Sequence, residues 1–224
     1  MNGAAAVNVT SSRAMVATLG LVATLCGVLI VSAYQGTLSA VTANKRIALE
    51  RAVFKVIPGA ASMKEFVATT AGIEPAAGQS SGNGVKFYAA YGPSGELKGV
   101  AAEGGATGYA DVVRILYAYD PDRQAITGLG VVGMRETPGI GDKILTDQAF
   151  LANFAALDVR LDADAKALAN PVKVVKHGSK RNPWEIDAIS GATVTSKAVG
   201  KGINDSAQRL LPRLAPNLDK LRSK

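Results

Sequence analysis

The sequence is poor in the side chains that bind metals and form crosslinks. Cys26 and His177 are the only cysteine and the only histidine among 224 residues. A disulfide takes two cysteines, so none can close within one chain. Iron–sulfur clusters need several thiolates, c-type haem needs a C-x-x-C-H run, and zinc usually takes three or four Cys, His or carboxylate ligands. The usual routes to a redox metal are therefore closed, and electron chemistry here requires an organic cofactor. There is no G-x-G-x-x-G fingerprint, and the elements do not alternate as in a parallel βαβ series. Both absences argue against a dinucleotide-binding Rossmann unit. Aromatic residues make up only 5% of the chain.

Charge is missing from one long stretch, since nothing ionisable as an acid or strong base lies between Arg13 and Lys45. Within it, Met15–Tyr34 reads MVATLGLVATLCGVLIVSAY, about the length that crosses a hydrocarbon core of ~30 Å as a helix. A cleavable signal peptide is the competing reading, with Arg13 as its n-region and Val31-Ser32-Ala33 resembling a cleavage site. The apolar run exceeds the usual h-region of about 7–15 residues, so an uncleaved anchor over 15–34 after a cytoplasmic segment 1–14 is the expectation. Cys26 then reads as a small apolar residue of the span. Lys45, Arg46 and Arg51 follow the span and weigh weakly against export under the positive-inside rule. They also fit a helix over Ala43–Phe54 that continues into a soluble domain.

The remainder, roughly 190 residues, suits one globular domain. Its positive charge is uneven: residues 171–224 hold 11 Lys/Arg against 4 Asp/Glu, whereas residues 1–170 hold 14 of each. Such a block fits an anionic lipid, an acidic partner or a bound phosphate. Without aromatic interleaving or a nucleic-acid module, no nucleic-acid partner is expected.

A helical connector is predicted over 35–70, with a break at Pro58-Gly59 and a second short helix at Met63–Thr70. Gly72–Gly84 reads as a loop. Two hairpins follow, Val85–Tyr91 with Leu97–Glu103 around Pro93-Ser94-Gly95, and Val112–Tyr119 with Ile126–Val132 around Asp120-Pro121-Asp122, giving an antiparallel meander. Apolar spacing predicts a helix over Gln148–Leu168, with Asp147 as cap and Pro171 as stop. Short strands Val172–Lys176 and Trp184–Ile189 flank a basic turn, His177–Asn182. Trp184 reads as core, and the lysines and arginine of that turn region, Lys173, Lys176, Lys180 and Arg181, as a solvated face that can also hold phosphate or dock a partner. A last helix from Thr193 to about Leu211 turns Val194, Ala198, Val199, Ile203 and Leu210 inward. The fold class is α+β, with the folded domain over 71–212 and a basic tail over 213–224.

Chemistry concentrates in Asp187-Ala188-Ile189-Ser190-Gly191-Ala192-Thr193-Val194-Thr195-Ser196, where a strand passes through small residues into a helix. Free N–H groups and the positive end of a helix dipole favour an anion there, and the hydroxyls offer hydrogen bonds or an ester oxygen. The same string also reads as an ordinary Ser/Thr N-cap. A second string, Glu136-Thr137-Pro138-Gly139-Ile140-Gly141-Asp142-Lys143, is a bend that can lie against a flat ring, with Ile140 as an apolar contact and Glu136 as a polar one. It also reads as a plain β-turn.

The two strings together resemble the FMN-binding domain family. D-x-x-S-G-A-T-x-T-S matches its flavinylation motif, and the second string is similar to its E-T-P-G-L-G-x-K segment, with Ile140 in place of Leu. That family includes the G subunit of the Rnf electron transport complex and the C subunit of the Na+-pumping NADH:quinone reductase. Chain length and the single span look more like the Rnf protein; the quinone reductase subunit remains the alternative. The resemblance implies FMN joined through its phosphate to Thr193 by a flavin transferase, with Asp187, Ser190, Gly191, Ala192, Thr195 and residues 136–141 around it. It further implies an electron-transfer subunit of a bacterial inner-membrane complex that couples ferredoxin:NAD+ oxidoreduction to Na+ or H+ movement. Its other membrane subunits and lipid are then the partners, and the domain is periplasmic. Two readings of other classes stand beside it: a non-redox anchored protein with an anion-binding helix start, and a self-sufficient exported reductase.

Overall fold

In the computed structural model, which describes residues 11–76 and 84–222, the apolar run lies within one helix, α1, from Ser12 to Val56. At 1.5 Å per residue its 45 residues extend about 68 Å, roughly twice the ~30 Å hydrocarbon core. Side chains from Arg13 to Ala48 are exposed, and the helix is long and apolar enough to cross a membrane. The chain forms two units, Met1–Ala48 and Leu49–Lys224. Most of the predicted Gly72–Gly84 loop lies outside the described residues.

In the second unit, a seven-stranded antiparallel sheet has the order β2-β1-β3-β4-β5-β6-β7. The strands are β1 (Ser62–Ala68), β2 (Ile73–Pro75), β3 (Val85–Tyr91), β4 (Leu97–Thr107), β5 (Val112–Asp120), β6 (Ala125–Gly133) and β7 (Leu157–Asp158). The expected meander is β3 to β6. Its inner strands are apolar without alternation because both faces are covered. On one face Phe87, Ala89, Ile115 and Tyr117 join the main core, and on the other Tyr88, Ala90, Leu116 and Ala118 pack with Val53 and Val56.

Three expectations for local structure are corrected. The helix of the connector expected over 35–70 ends at Val56, and of the second helix expected over Met63–Thr70, Met63–Ala68 lies in strand β1. All seven β1 residues pair with β3, and Phe66 stacks on Phe87 at 5.7 Å, so partners distant in sequence override a local helical pattern. The helix expected over Gln148–Leu168 is only α2 (Gln148–Ala152) and a 3-10 turn (Asn153–Ala155). Asp147 does cap it, accepting from Phe150 N at 2.9 Å. Further on, Asn153 and Asp162 bond nearby backbone groups, competing with helix continuation, and Leu157 is buried in edge strand β7. The basic tail is not a tail: the last long helix, α3, runs Thr193–Leu214, and α4 (Leu218–Arg222) buries Leu221.

The remaining strands, β8 (Lys173–Val175) and β9 (Glu185–Asp187), form a parallel pair. Helix α3 lies on β4 and β5 and buries Ala198, Val199, Ile203, Ala207, Leu210 and Leu211. Backbones touch where Gly104 meets Gly202, because a Cβ on Gly104 would lie 2.4 Å from the Gly202 carbonyl oxygen. One turn on, Ser206 donates to Glu103 O at 2.7 Å and lies 3.0 Å from the Tyr117 hydroxyl. These contacts hold the start of α3 in a defined place relative to the β4–β5 turn.

Candidate functional site

The chain enters α3 through Gly191, whose φ of +83° is one that L side chains rarely adopt. Ala192 follows as N-cap and has no side chain to bond the helix start. The first N–H groups of a 22-residue helix therefore lack a side-chain partner, which leaves the positive end of its dipole open to an anion.

The hydroxyls of the motif have different employment. Thr195, 2% exposed, donates to Glu136 Oε2 at 2.7 Å. Ser196 is fully buried, donates to Ala192 O at 2.9 Å and accepts from Ile189 N at 3.1 Å. Thr193 and Ser190 are exposed, and their hydroxyls bond no described residue.

Glu136 ties together three segments. Besides Thr195, its carboxylate accepts from Tyr109 N at 3.1 Å and Ala110 N at 3.2 Å, both in the β4–β5 turn. The bend that follows is closed by Ile140 N and Gly141 N, which donate to Thr137 O at 3.2 and 3.0 Å, and passes through Gly139 at φ +75°. Between the bend, the turn and the start of α3 lies a cavity of about 440 Å³. Tyr109, Glu136, Thr137, Ile140, Thr193 and Val194 line it, with Gly141, Gly191, Ala192 and Thr195. Tyr109 is 75% exposed, Ile140 50% and Val194 49%, so three ring-sized or branched side chains present their surfaces to this cavity.

A second cavity, about 680 Å³, opens between β8 and the start of α3. Lys173, Lys176, His177, Ser190, Thr193 and Lys197 are among its lining residues, and it shares Gly191 and Thr193 with the first. Thr193 thus stands on the boundary between an apolar cavity and a basic one.

Of the residues singled out in the sequence, Asp187, Pro138 and Gly139 line neither cavity. The Asp187 carboxylate accepts from Gly178 N at 2.8 Å and Ser179 N at 3.2 Å, and His177 Nδ1 lies 3.0 Å from Ala188 O. Both contacts brace the basic turn against the strand that leads to the motif. In the same turn, donors from Arg181 N and Asn182 hold the Glu185 carboxyl below its ordinary range. Trp184, expected in the core, is half-buried, and Val194, expected inward, faces the apolar cavity. Sequence reasoning missed Tyr109 and Lys197 as lining residues. The Gly108-Tyr109 pair was the available signal for the first; a single lysine on a helix carries none.

The FMN-binding domain family matches residues 108–208. The chain is 35% identical over 119 residues to the G subunit of the Na+-translocating ferredoxin:NAD+ oxidoreductase complex of Acetobacterium woodii, a match covering 51% of this chain and 50% of that protein. It is 32% identical over 142 residues to the G subunit of the ion-translocating oxidoreductase complex of Methanosarcina acetivorans, covering 62% and 67%. The chain thus spans about half the length of the first of these relatives and two thirds of the second. Among solved structures, NqrC of Shewanella oneidensis is similar in fold, with a TM-score of 0.57 at 19% identity, covering 81% of this chain and all of that one.

Proposed function

The chain belongs to the family formed by the G subunits of ion-translocating oxidoreductase complexes, and on that premise we propose that it is a membrane-anchored electron carrier whose FMN is joined by a phosphoester bond to Thr193. The observation that carries the choice of residue is the division of labour among hydroxyls at the start of α3. Thr195 and Ser196 are buried and committed to Glu136, Ala192 and Ile189, while Thr193 and Ser190 are exposed and unpartnered among the described residues, and of these two only Thr193 lines both the apolar and the basic cavity.

The surroundings fit the group. Gly191 and Ala192 let the backbone come close to a phosphate, and the uncapped N–H groups of α3 with Lys197 and Lys176 supply positive charge. On the other side of Thr193, Tyr109, Ile140 and Val194 offer apolar surface to a planar ring and keep water from it. Glu136 holds those walls together. When bound, FMN supplies reversible one- and two-electron chemistry, while the chain sets its position and surroundings.

In this reading α1 crosses the bacterial inner membrane once, with the folded domain in the periplasm. Lipid and the other subunits of an Rnf-like complex are its partners, and electron transfer between ferredoxin and NAD+ is coupled there to Na+ or H+ movement. An exported domain has no free FMN pool to draw on, so a covalent bond prevents loss of the cofactor. A flavin transferase installs it.

The test is the full chain co-expressed with a flavin transferase and run on a denaturing gel under ultraviolet light. A fluorescent band is expected for the wild type and for Thr195→Ser, and none for Thr193→Ala. Mass spectrometry of the peptide containing residue 193 locates the added FMN. A band that survives in Thr193→Ala overturns the assignment.

A further inference from the structure

Resting on the reading of Thr193 as the flavin-bearing residue, we infer that the basic cavity beside it is the seat on which an acidic face of a redox partner protein docks. The positive charge of this cavity is only partly balanced. No carboxylate lines it, and Lys173, Lys176 and Lys197 form no ion pair with any described residue; Glu185, opposite Lys173 in the β8–β9 pair, and Asp187, 3.9 Å from His177, are the carboxylates nearby. Neighbouring cations differ: Lys180 donates to Asn153 Oδ1 at 3.1 Å, and Lys201 pairs with Asp205 at 2.6 Å. Asp187, in adjoining β9, already accepts two backbone amides.

A phosphodiester on Thr193 carries one negative charge, so three lysines exceed what it needs. The surplus fits a second anionic group, and the exposure of the cations identifies its class. Lys173, Lys176, His177 and Lys197 are all exposed, whereas a selective site for a small anion encloses its donors. Exposed like charges on a concave surface raise encounter rates and orient a partner without binding it tightly, which is what a transient electron-transfer contact requires. Because both cavities share Thr193, a protein seated here lies against the cofactor's point of attachment.

The probe is flavodoxin, a small acidic electron carrier, titrated calorimetrically into the full chain in detergent at low and at high salt, with and without flavin loaded. Binding is expected at low salt only, weakened about tenfold or more in the variant Lys173→Glu/Lys176→Glu/Lys197→Glu. Lys201→Glu, a single charge reversal outside the cavity, leaves it unchanged. Basic cytochrome c is expected to show the opposite preference. In stopped flow, reduction of the loaded chain by reduced flavodoxin slows by a similar factor in the triple variant. Circular-dichroism melting checks that the variant is folded, and Lys→Gln replacements provide a milder set. Equal binding by wild type and triple variant overturns the inference, as does equal weakening by Lys201→Glu. So does a lysine dependence confined to vesicles of anionic lipid. A chain that takes no flavin yet binds flavodoxin through the three lysines refutes the cofactor assignment and leaves the docking seat standing.

Discussion

Thr195 and Glu136 lie 59 residues apart and meet at 2.7 Å, with the threonine hydroxyl donating to the carboxylate. That one contact fastens the start of α3 to the bend at 137–141, and the same carboxylate holds the β4–β5 turn through Tyr109 N and Ala110 N. Glu136 lines the apolar cavity and is also the joint that holds its walls. Replacing it by alanine leaves the buried Thr195 hydroxyl without its acceptor, a loss of about 1.5–3 kcal/mol for a hydrogen bond to a charged group, whereas the two exposed amides of the turn can turn to water. Thermal melting of Glu136→Ala is expected to fall accordingly, with Glu136→Gln intermediate. A double-mutant cycle with Thr195→Val should show coupling of about 0.5–3 kcal/mol; additive effects refute the contact.

Thr193→Ala is expected to leave stability within about 0.5 kcal/mol of wild type, because its exposed hydroxyl bonds no described residue. Loss of the flavin with retention of the melting temperature separates a cofactor-bearing residue from a structural cap. A drop of more than about 1 kcal/mol, roughly what a lost N-cap costs, gives Thr193 the capping role instead.

Ser206 ties α3 to the sheet through Glu103 O and Tyr117. Ser206→Ala strips the fully buried Tyr117 hydroxyl of its partner, at a cost of about 1–3 kcal/mol. Denaturant unfolding of Ser206→Ala and of Ser206→Ala/Tyr117→Phe measures it. Partial recovery of stability in the double variant is expected, since the Tyr117 hydroxyl is then not stranded while the bond from Ser206 to Glu103 O is lost in both.

Acid should weaken the β7–β9 region. Burial pushes the Asp158 carboxyl up, but the donors and charge of Arg160 outweigh it and hold the group below its ordinary range. Glu185 is lowered by Arg181 N and Asn182. A carboxyl depressed in the folded state adds stability that is complete above the unfolded value of about 4 and disappears as pH falls through the folded one. The melting temperature is therefore expected to hold from about pH 7 to about pH 5 and to drop below about pH 4. Asp158→Asn and Glu185→Gln should flatten that drop, and an unchanged profile in both contradicts it.

Much of the site was legible in linear order because its chemistry is local. The small residues and hydroxyls at 190–196 announce a strand–turn–helix junction, and the turn residues at 137–141 announce a bend. Neither string shows which hydroxyl is free. Ser190, Thr193, Thr195 and Ser196 are equivalent by composition, and only folding buries two of them against Glu136 and Ile189. The errors have the same origin. Met63–Ala68, expected in a short helix, lies in β1 between β2 and β3, and Leu157 after Ala152 serves an edge strand, because the stabilising partners of a strand are remote in sequence.

The long apolar helix, the antiparallel meander, the want of metal ligands and the two motifs can all be read in linear order, since each depends on residue type and spacing along one chain. Folding in three dimensions places Thr193 between an apolar cavity and a basic one, engages Glu136, and brings Lys197 to Lys173 and Lys176. Those relations arise from the packing of α3 on β4 and β5, where Gly104 and Gly202 allow backbone contact. A shift of that helix by one turn would bring different side chains together from the same motifs.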